Sequence, residues 1–84
     1  MDFAKHVAHL LEQQYPDAQV DVDFAYGAEK LSGYIVWSGF DGLEQIDRQR
    51  LIANRLRTLL GRDAQRISTI LTYTPHEFQV MAAV

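Results

Sequence analysis

The sequence has no cysteine, and this absence excludes disulfide bonds, thiolate metal sites and a cysteine nucleophile. It also lacks any apolar run that approaches the roughly 18 residues of a membrane-spanning helix. The first residues, 1–6, form neither a basic segment nor an apolar one, so a secretory signal is not expected. Together these absences predict a cytoplasmic protein with no membrane contact.

Length and composition indicate one globular domain over residues 1–84. Apolar residues make up 48% of the chain and charged residues 23%, and both values are ordinary for a globular protein. No catalytic motif is present: the sequence has no Ser–His–Asp order, glycine-rich phosphate loop or zinc-binding helix pattern. We therefore expect a binding or regulatory module rather than an enzyme, with no cofactor and no metal site.

The charge is distributed unevenly along the chain. Residues 1–47 hold two lysines and nine acidic residues, whereas residues 48–84 hold six arginines and two acidic residues. The two halves therefore carry −7 and +4. Such asymmetry suggests a charged partner for the second half, although arginines on a solvated helix also serve solubility alone.

Two long segments have the apolar spacing of amphipathic helices. The first covers residues 3–14, with Asp2 as its N-cap and a stop before Pro16. The second covers residues 45–60 and ends at Gly61, a residue suited to the position after a helix. Its apolar stripe consists of Ile46, Ile52, Ala53, Leu56, Leu59 and Leu60. Leu43 and Leu51 lie off this stripe and suggest a kink or a second short helix, and residues 62–65 are expected to form a loop.

Three shorter segments have the character of strands. Residues 19–24 alternate strictly between apolar and polar, which predicts a half-buried strand. Residues 31–37 are apolar on both faces and are expected to be central in the sheet, paired in a hairpin with the first strand. Residues 67–73 are rich in β-branched side chains and predict a third strand.

A helix start is encoded directly after the third strand. Thr74 is placed to cap the helix, Pro75 suits its first position, and Glu77 completes a capping box. We expect Phe78, Met81 and Ala82 to pack back on the body of the domain. The predicted order is α-β-β-α-β-α, an α+β fold in which a three-stranded mixed sheet carries its helices on one face.

Two motifs in the second half resemble the BolA-like family. The first is Phe40-x-Gly42 followed by Arg48-x-Arg50, where the family pattern has a phenylalanine and a glycine ahead of Arg-His-Arg. Gln49 replaces the histidine. The second is Thr72-Tyr73-Thr74-Pro75-x-Glu77-Phe78, similar to the family's closing strand and Thr-Pro-Glu-Glu-Trp, with Phe78 in place of the tryptophan. The motifs span about residues 35–78, and the layout fits nearly the whole chain.

The resemblance implies a fold akin to a class II KH domain, with a helix-turn-helix around residues 40–60. It also implies a non-enzymatic protein that pairs with a monothiol glutaredoxin, often through a shared two-iron two-sulfur cluster, in iron homeostasis or stress regulation. The family places a metal-ligating histidine where this chain has Arg66, and a His or Cys in the loop that here is residues 25–30. Neither ligand type is present at these positions, so we expect no cluster.

The candidate binding residues are the basic ones of the second half: Arg48, Arg50, Arg55, Arg57 and Arg66. Guanidinium groups suit phosphate and carboxylate equally, so the helix could contact a protein or a nucleic acid. The segment Gly39-Phe40-Asp41-Gly42 also matches the G-x-x-G of a KH loop, but Asp41 would repel a phosphate backbone. Phe40, Gly42, Thr74, Pro75, Glu77 and Phe78 are interpreted as structural. The preferred hypothesis is an adaptor that contacts proteins; the alternative is a nucleic-acid-binding regulator.

Overall fold

The computed structural model of the chain describes residues 2–25 and 27–83. Its helices are α1 (Phe3–Gln14), α2 (Gln45–Leu60) and α3 (Pro75–Ala82), its strands are β1 (Gln19–Phe24), β2 (Leu31–Val36) and β3 (Ile67–Tyr73), and two 3₁₀ segments span Ser38–Phe40 and Gly61–Arg66. The predicted α-β-β-α-β-α order is confirmed. In the described ranges, no helix is both long and apolar enough to cross a membrane.

The three strands form one mixed sheet in the order β1-β2-β3. β1 and β2 pair antiparallel as a hairpin, and β2 and β3 pair parallel across the α2 connection. β2 is therefore the central strand, as its apolar sequence predicts. At Gly33 of β2 the backbone of β1 comes so close that an added Cβ would collide with the carbonyl oxygen of Asp21. Only glycine fits at this position without a shift of the sheet.

The core lies between one face of the sheet and the helices α1 and α2. Leu31 and Ile35 of β2 are fully buried there, together with Leu11 of α1, and Ile52 and Leu56 of α2 pack on the same cluster. α3 does not pack on this face, so the expectation that all helices lie on one face of the sheet does not hold for α3. Its Phe78 packs on Tyr34 and Tyr73, with ring centroids 5.0 and 5.9 Å away. Because side chains alternate along a strand, these two tyrosines lie on the face opposite Ile35, so α3 reaches the other side of the sheet.

The predicted apolar stripe of α2 is partly wrong. Ile46 is 54% exposed and Ala53 is exposed, while Ile52 and Leu56 are buried as expected. The reason is that the face of α2 toward the sheet begins with polar residues that form hydrogen bonds there, and this rotates Ile46 outward. α2 is one continuous helix, and Leu43 precedes it in an exposed position.

Three further expectations differ from the structure. Residues 62–65 belong to a 3₁₀ segment rather than a loop. The segment ahead of α2 contains a single 3₁₀ turn, Ser38–Phe40, so residues 40–60 do not hold two α-helices. In α3, Met81 is 46% exposed and Ala82 is also exposed, because this helix meets the sheet through Phe78.

Candidate functional site

The arginines of α2 divide into one buried residue and three exposed residues. Arg48 is only 6% exposed. Its Nε donates to the carbonyl oxygen of Leu43 at 2.9 Å, and its Nη1 and Nη2 donate to the two carboxylate oxygens of Glu77 at 2.7 and 3.3 Å. The guanidinium carbon also lies 5.8 Å from the centre of the Phe40 ring. Arg48 thus joins the start of α2 to α3, and it is not available at the surface as the sequence-based hypothesis expected.

Glu77 has a second partner besides Arg48. Its carboxylate accepts a hydrogen bond from the backbone N–H of Thr74 at 2.8 Å, and its own N–H donates to the Thr74 hydroxyl at 3.2 Å. This reciprocal pair is the predicted capping box, which is confirmed. The Arg48 hydrogen bond, followed by the one from Thr74, lowers the pKa of Glu77 from its ordinary 4.5 to about 2. The carboxylate is therefore charged at neutral pH.

The motif residues form one structural unit around this ion pair. Phe40 is fully buried, and its ring meets the edge of Trp37 with centroids 5.2 Å apart. Gly42 has a φ of +84°, a backbone conformation that side-chain-bearing residues rarely adopt, and it turns the chain between the 3₁₀ segment and α2. The Gly39–Gly42 segment is consequently anchored by Phe40, and its Asp41 is exposed to solvent.

The exposed arginines of α2 are Arg50, Arg55 and Arg57. Arg50 and Arg57 are two helical turns apart and share one side of the helix, whereas Arg55 lies on the other side. We call Arg50 and Arg57 the α2 basic surface. Arg57 Nη1 donates to Asn54 Oδ1 at 3.1 Å, which orients the guanidinium and leaves further donors. The surface can bind carboxylate or phosphate groups.

Arg66 lies at the opposite end of β3 from Thr74, away from the ion pair. It is exposed, and its guanidinium carbon lies 4.0 Å from the centre of the Phe3 ring and 6.0 Å from that of Phe24. A guanidinium stacked on aromatic rings in this way is a cation–π contact and offers no lone pair to a metal. Within the described residues, no group of three or more His, Cys, Asp or Glu side chains is placed to hold a metal ion. The residues present do not fit an iron–sulfur cluster.

Two glutamines on α2 form a contact with β3 that the sequence-based interpretation missed. Gln45 Nε2 donates to the Thr72 carbonyl oxygen at 3.2 Å, and the Thr72 hydroxyl donates to Gln45 Oε1 at 2.8 Å. Gln49 Nε2 donates to the Ile70 carbonyl oxygen at 3.1 Å. The two amides therefore cover part of the outer edge of β3. The two glutamines are four residues apart, about one helical turn, and this spacing was the sequence signal that they share one face of α2.

Comparison with known proteins defines the class of fold. No protein-family model matches the chain, and no curated protein matches it. Solved structures do match. A BolA-like protein from Babesia bovis has a TM-score of 0.69 and 22% identity over 98% of this chain and 95% of its own. A BolA protein homologue from Coxiella burnetii has a TM-score of 0.70 and 22% identity over 94% and 99%.

A plant domain gives the same result. The BolA domain of SufE1 from Arabidopsis thaliana has a TM-score of 0.71 and 21% identity, over 92% of this chain and 96% of its own. The likeness extends over nearly the full length of each chain, and at these identities it is a likeness of fold. The chain is a small α+β domain, and its fold is BolA-like, as the two sequence motifs predict.

Proposed function

We propose that the chain is a non-enzymatic member of the BolA-like family that acts as an adaptor or regulator through contact with another protein. The BolA-like fold over nearly the whole length supports this assignment, together with the two family motifs in the sequence. The family resemblance supplies the class of process, which is stress or iron and redox regulation. It also supplies the first partner to test, a monothiol glutaredoxin.

The observation that carries the proposal is the α2 basic surface on this fold. Arg48 is bonded to Glu77 inside the domain, whereas Arg50, Arg55 and Arg57 extend into solvent from the same helix. Exposed guanidinium groups pair with carboxylates of a partner and also direct association over longer distances. We therefore expect the partner to present an acidic patch to this helix.

The partner contact forms without an iron–sulfur cluster in this proposal. Arg66 is stacked on Phe3 at the position of the family's ligating histidine, and a guanidinium cannot act as a ligand there. The loop of residues 25–30 supplies no His or Cys. The protein would bind its partner as an apo adaptor.

Calorimetric titration with a monothiol glutaredoxin, under anaerobic conditions, tests the proposal. The wild type should bind, and the triple variant Arg50→Gln/Arg55→Gln/Arg57→Gln should bind about tenfold more weakly, since each exposed pair contributes up to about 1 kcal/mol. Lys5→Gln/Lys30→Gln, which removes exposed cations elsewhere, is the matched control and should keep wild-type affinity.

Two results would contradict separate parts of the proposal. Absence of binding by the wild type removes glutaredoxin as the partner. A stable complex whose visible absorption differs from that of the glutaredoxin homodimer contradicts the apo contact.

A further inference from the structure

A groove of about 320 Å³ lies between α2 and β3, on the side of α2 that carries Arg57. We call it the α2–β3 groove. Its floor is apolar, since Ile52, Leu56 and Ile70 are all buried core residues. Its rim is polar and consists of Arg57, Gln65 and Ser68, which are exposed. An apolar floor with a few convergent polar groups is typical of a binding site.

β3 is an edge strand of the sheet, so no further strand pairs with its outer side along the groove within the described residues. Gln45 and Gln49 cover the outer edge of β3 at Thr72 and Ile70, but Ser68 lies beyond them in the groove. In the same stretch the pairing of β3 with β2 shifts in register between Ile67 and Ile70. The regular ladder is interrupted here, and the outer side of an edge strand can pair with an added chain.

The charge of the groove favours a peptide that ends there with a free carboxylate. Among its lining residues, all within the described ranges, Arg57 is the only one that is charged. Its Nη1 is held by Asn54 while its other donors remain available, and a guanidinium binds a carboxylate through two parallel hydrogen bonds. Gln49 lies two turns before Arg57 along α2 and is bonded to Ile70 and Thr72. A chain terminus supplies a carboxylate for Arg57 together with backbone amides and an apolar side chain for the rest of the groove.

We propose that the α2–β3 groove binds the carboxyl-terminal end of an extended apolar peptide from a partner protein. The terminal carboxylate pairs with Arg57, a branched apolar side chain rests on Ile52 and Leu56, and the peptide backbone lies beside Ser68. This inference rests on the proposed function as a protein-binding adaptor and specifies one surface and one partner chemistry. It requires no cluster and no nucleic acid.

Nuclear magnetic resonance of the ¹⁵N-labelled protein tests the groove. The probe is the N-acetylated tetrapeptide Ser-Val-Thr-Val with a free carboxyl terminus, compared with the same peptide ended by an amide. The free acid should shift the backbone amide signals of Ala53, Ser68 and Ile70. The amide should bind about tenfold more weakly or worse, because it lacks the charged oxygens that accept hydrogen bonds from Arg57.

Three variants make the assignment specific. Arg57→Gln should lose the preference for the free acid, while Arg55→Gln should keep it, since Arg55 is exposed on the other side of the same helix. Ala53→Leu narrows the groove without a change of charge and should abolish binding of both peptides. Ala53 is exposed, so this variant is expected to fold.

Several outcomes would overturn the inference. They are unshifted groove signals with the free acid, equal binding of acid and amide, and equal losses in Arg55→Gln and Arg57→Gln. Decanoate carries a carboxylate on an apolar chain that has no backbone amides, and groove binding of decanoate without the peptide also contradicts a peptide site. Glutaredoxin titration separates the two proposals: binding of glutaredoxin without the peptide refutes the groove alone, and the reverse refutes glutaredoxin as the partner.

Discussion

At the scale of single residues, Arg48 is a buried charge that contacts three separate segments. Leu43 supplies a carbonyl oxygen, Glu77 supplies a carboxylate, and Phe40 lies against the guanidinium. We expect Arg48→Met to keep the bulk of the side chain but to leave these acceptors without their donor. Hydrogen bonds to charged groups contribute about 1.5–3 kcal/mol, so the free energy of unfolding in urea should fall by about this amount.

Arg50→Met is the matched control for this prediction. Arg50 is on the same helix, two residues further along, and is exposed, so its replacement should change the unfolding free energy by about 0.5 kcal/mol or less. Equal stability of the two variants would mean that the Arg48 hydrogen bonds contribute nothing net.

Glu77, the carboxylate that pairs with Arg48, predicts how the stability of the fold depends on pH. Hydrogen bonds from Arg48 and Thr74 lower the pKa of Glu77 from 4.5 to about 2 in the folded protein. The charged form is thus favoured by folding, and its stabilising contribution is complete above about pH 4.5 and is lost as the pH falls toward 2. We expect the melting temperature of the wild type to drop more steeply than that of Glu77→Gln across this window.

Circular dichroism melts at several pH values between 6 and 2 measure this difference. Glu12→Gln, which changes an exposed glutamate on α1, is the control and should follow the wild-type curve. Parallel curves for the wild type and Glu77→Gln would show that the ion pair does not couple folding to pH.

At the scale of elements, α3 depends on its capping box because this short helix buries little apolar surface. Thr74 is 6% exposed, and its hydroxyl accepts from the N–H of Glu77. Thr74→Ala should lower the unfolding free energy by about 0.5–2 kcal/mol with an unchanged urea m-value. Thr58→Ala removes an exposed hydroxyl within α2 and should be close to neutral. Equal stability of Thr74→Ala and the wild type would contradict the capping role.

Local signals predicted the elements well. The bounds of α1 follow from the Asp2 cap and from Pro16, and those of β1 from its strict alternation. The packed face of α2 could not be predicted in the same way, because periodicity counts only apolar residues. Gln45 and Gln49 face β3 through hydrogen bonds to strand carbonyl oxygens, and this moves Ile46 outward.

The candidate site shows the same limitation. The motif around Phe40 and Thr74 was visible in the sequence, but the burial of Arg48 depends on Glu77, which lies 29 residues away along the chain. No local pattern distinguishes an arginine that will be buried in an ion pair from one that stays in solvent. From the sequence, Arg48 and Arg50 are therefore equal candidates for contact with a partner. Only the packing of α3 against the start of α2 distinguishes them.

At the scale of the whole molecule, the uneven charge of the sequence becomes a separation of surfaces. Asp21 and Asp23 are exposed on the edge strand β1, whereas Arg57 of the α2 basic surface lines the groove beside β3, the other edge strand. Asp41 and Asp47 are exposed near the start of α2. A protein partner with one acidic patch can face Arg50 and Arg57 alone, whereas a long polyanion also meets these carboxylates.

This arrangement gives the prediction that separates the two functional hypotheses. Fluorescence anisotropy with labelled single-stranded and duplex DNA of about 20 nucleotides should show dissociation constants weaker than about 10 μM at 150 mM salt, within the range of non-specific binding. Binding at low salt should weaken as salt rises. The slope of the logarithm of the binding constant against the logarithm of salt concentration should be no steeper than about −3, because three arginines release few counterions. The triple variant Arg50→Gln/Arg55→Gln/Arg57→Gln should remove it, and Lys5→Gln/Lys30→Gln should not. Submicromolar binding by the wild type at 150 mM salt, lost in the triple variant and kept in the lysine variant, would replace the adaptor hypothesis with a nucleic-acid-binding regulator.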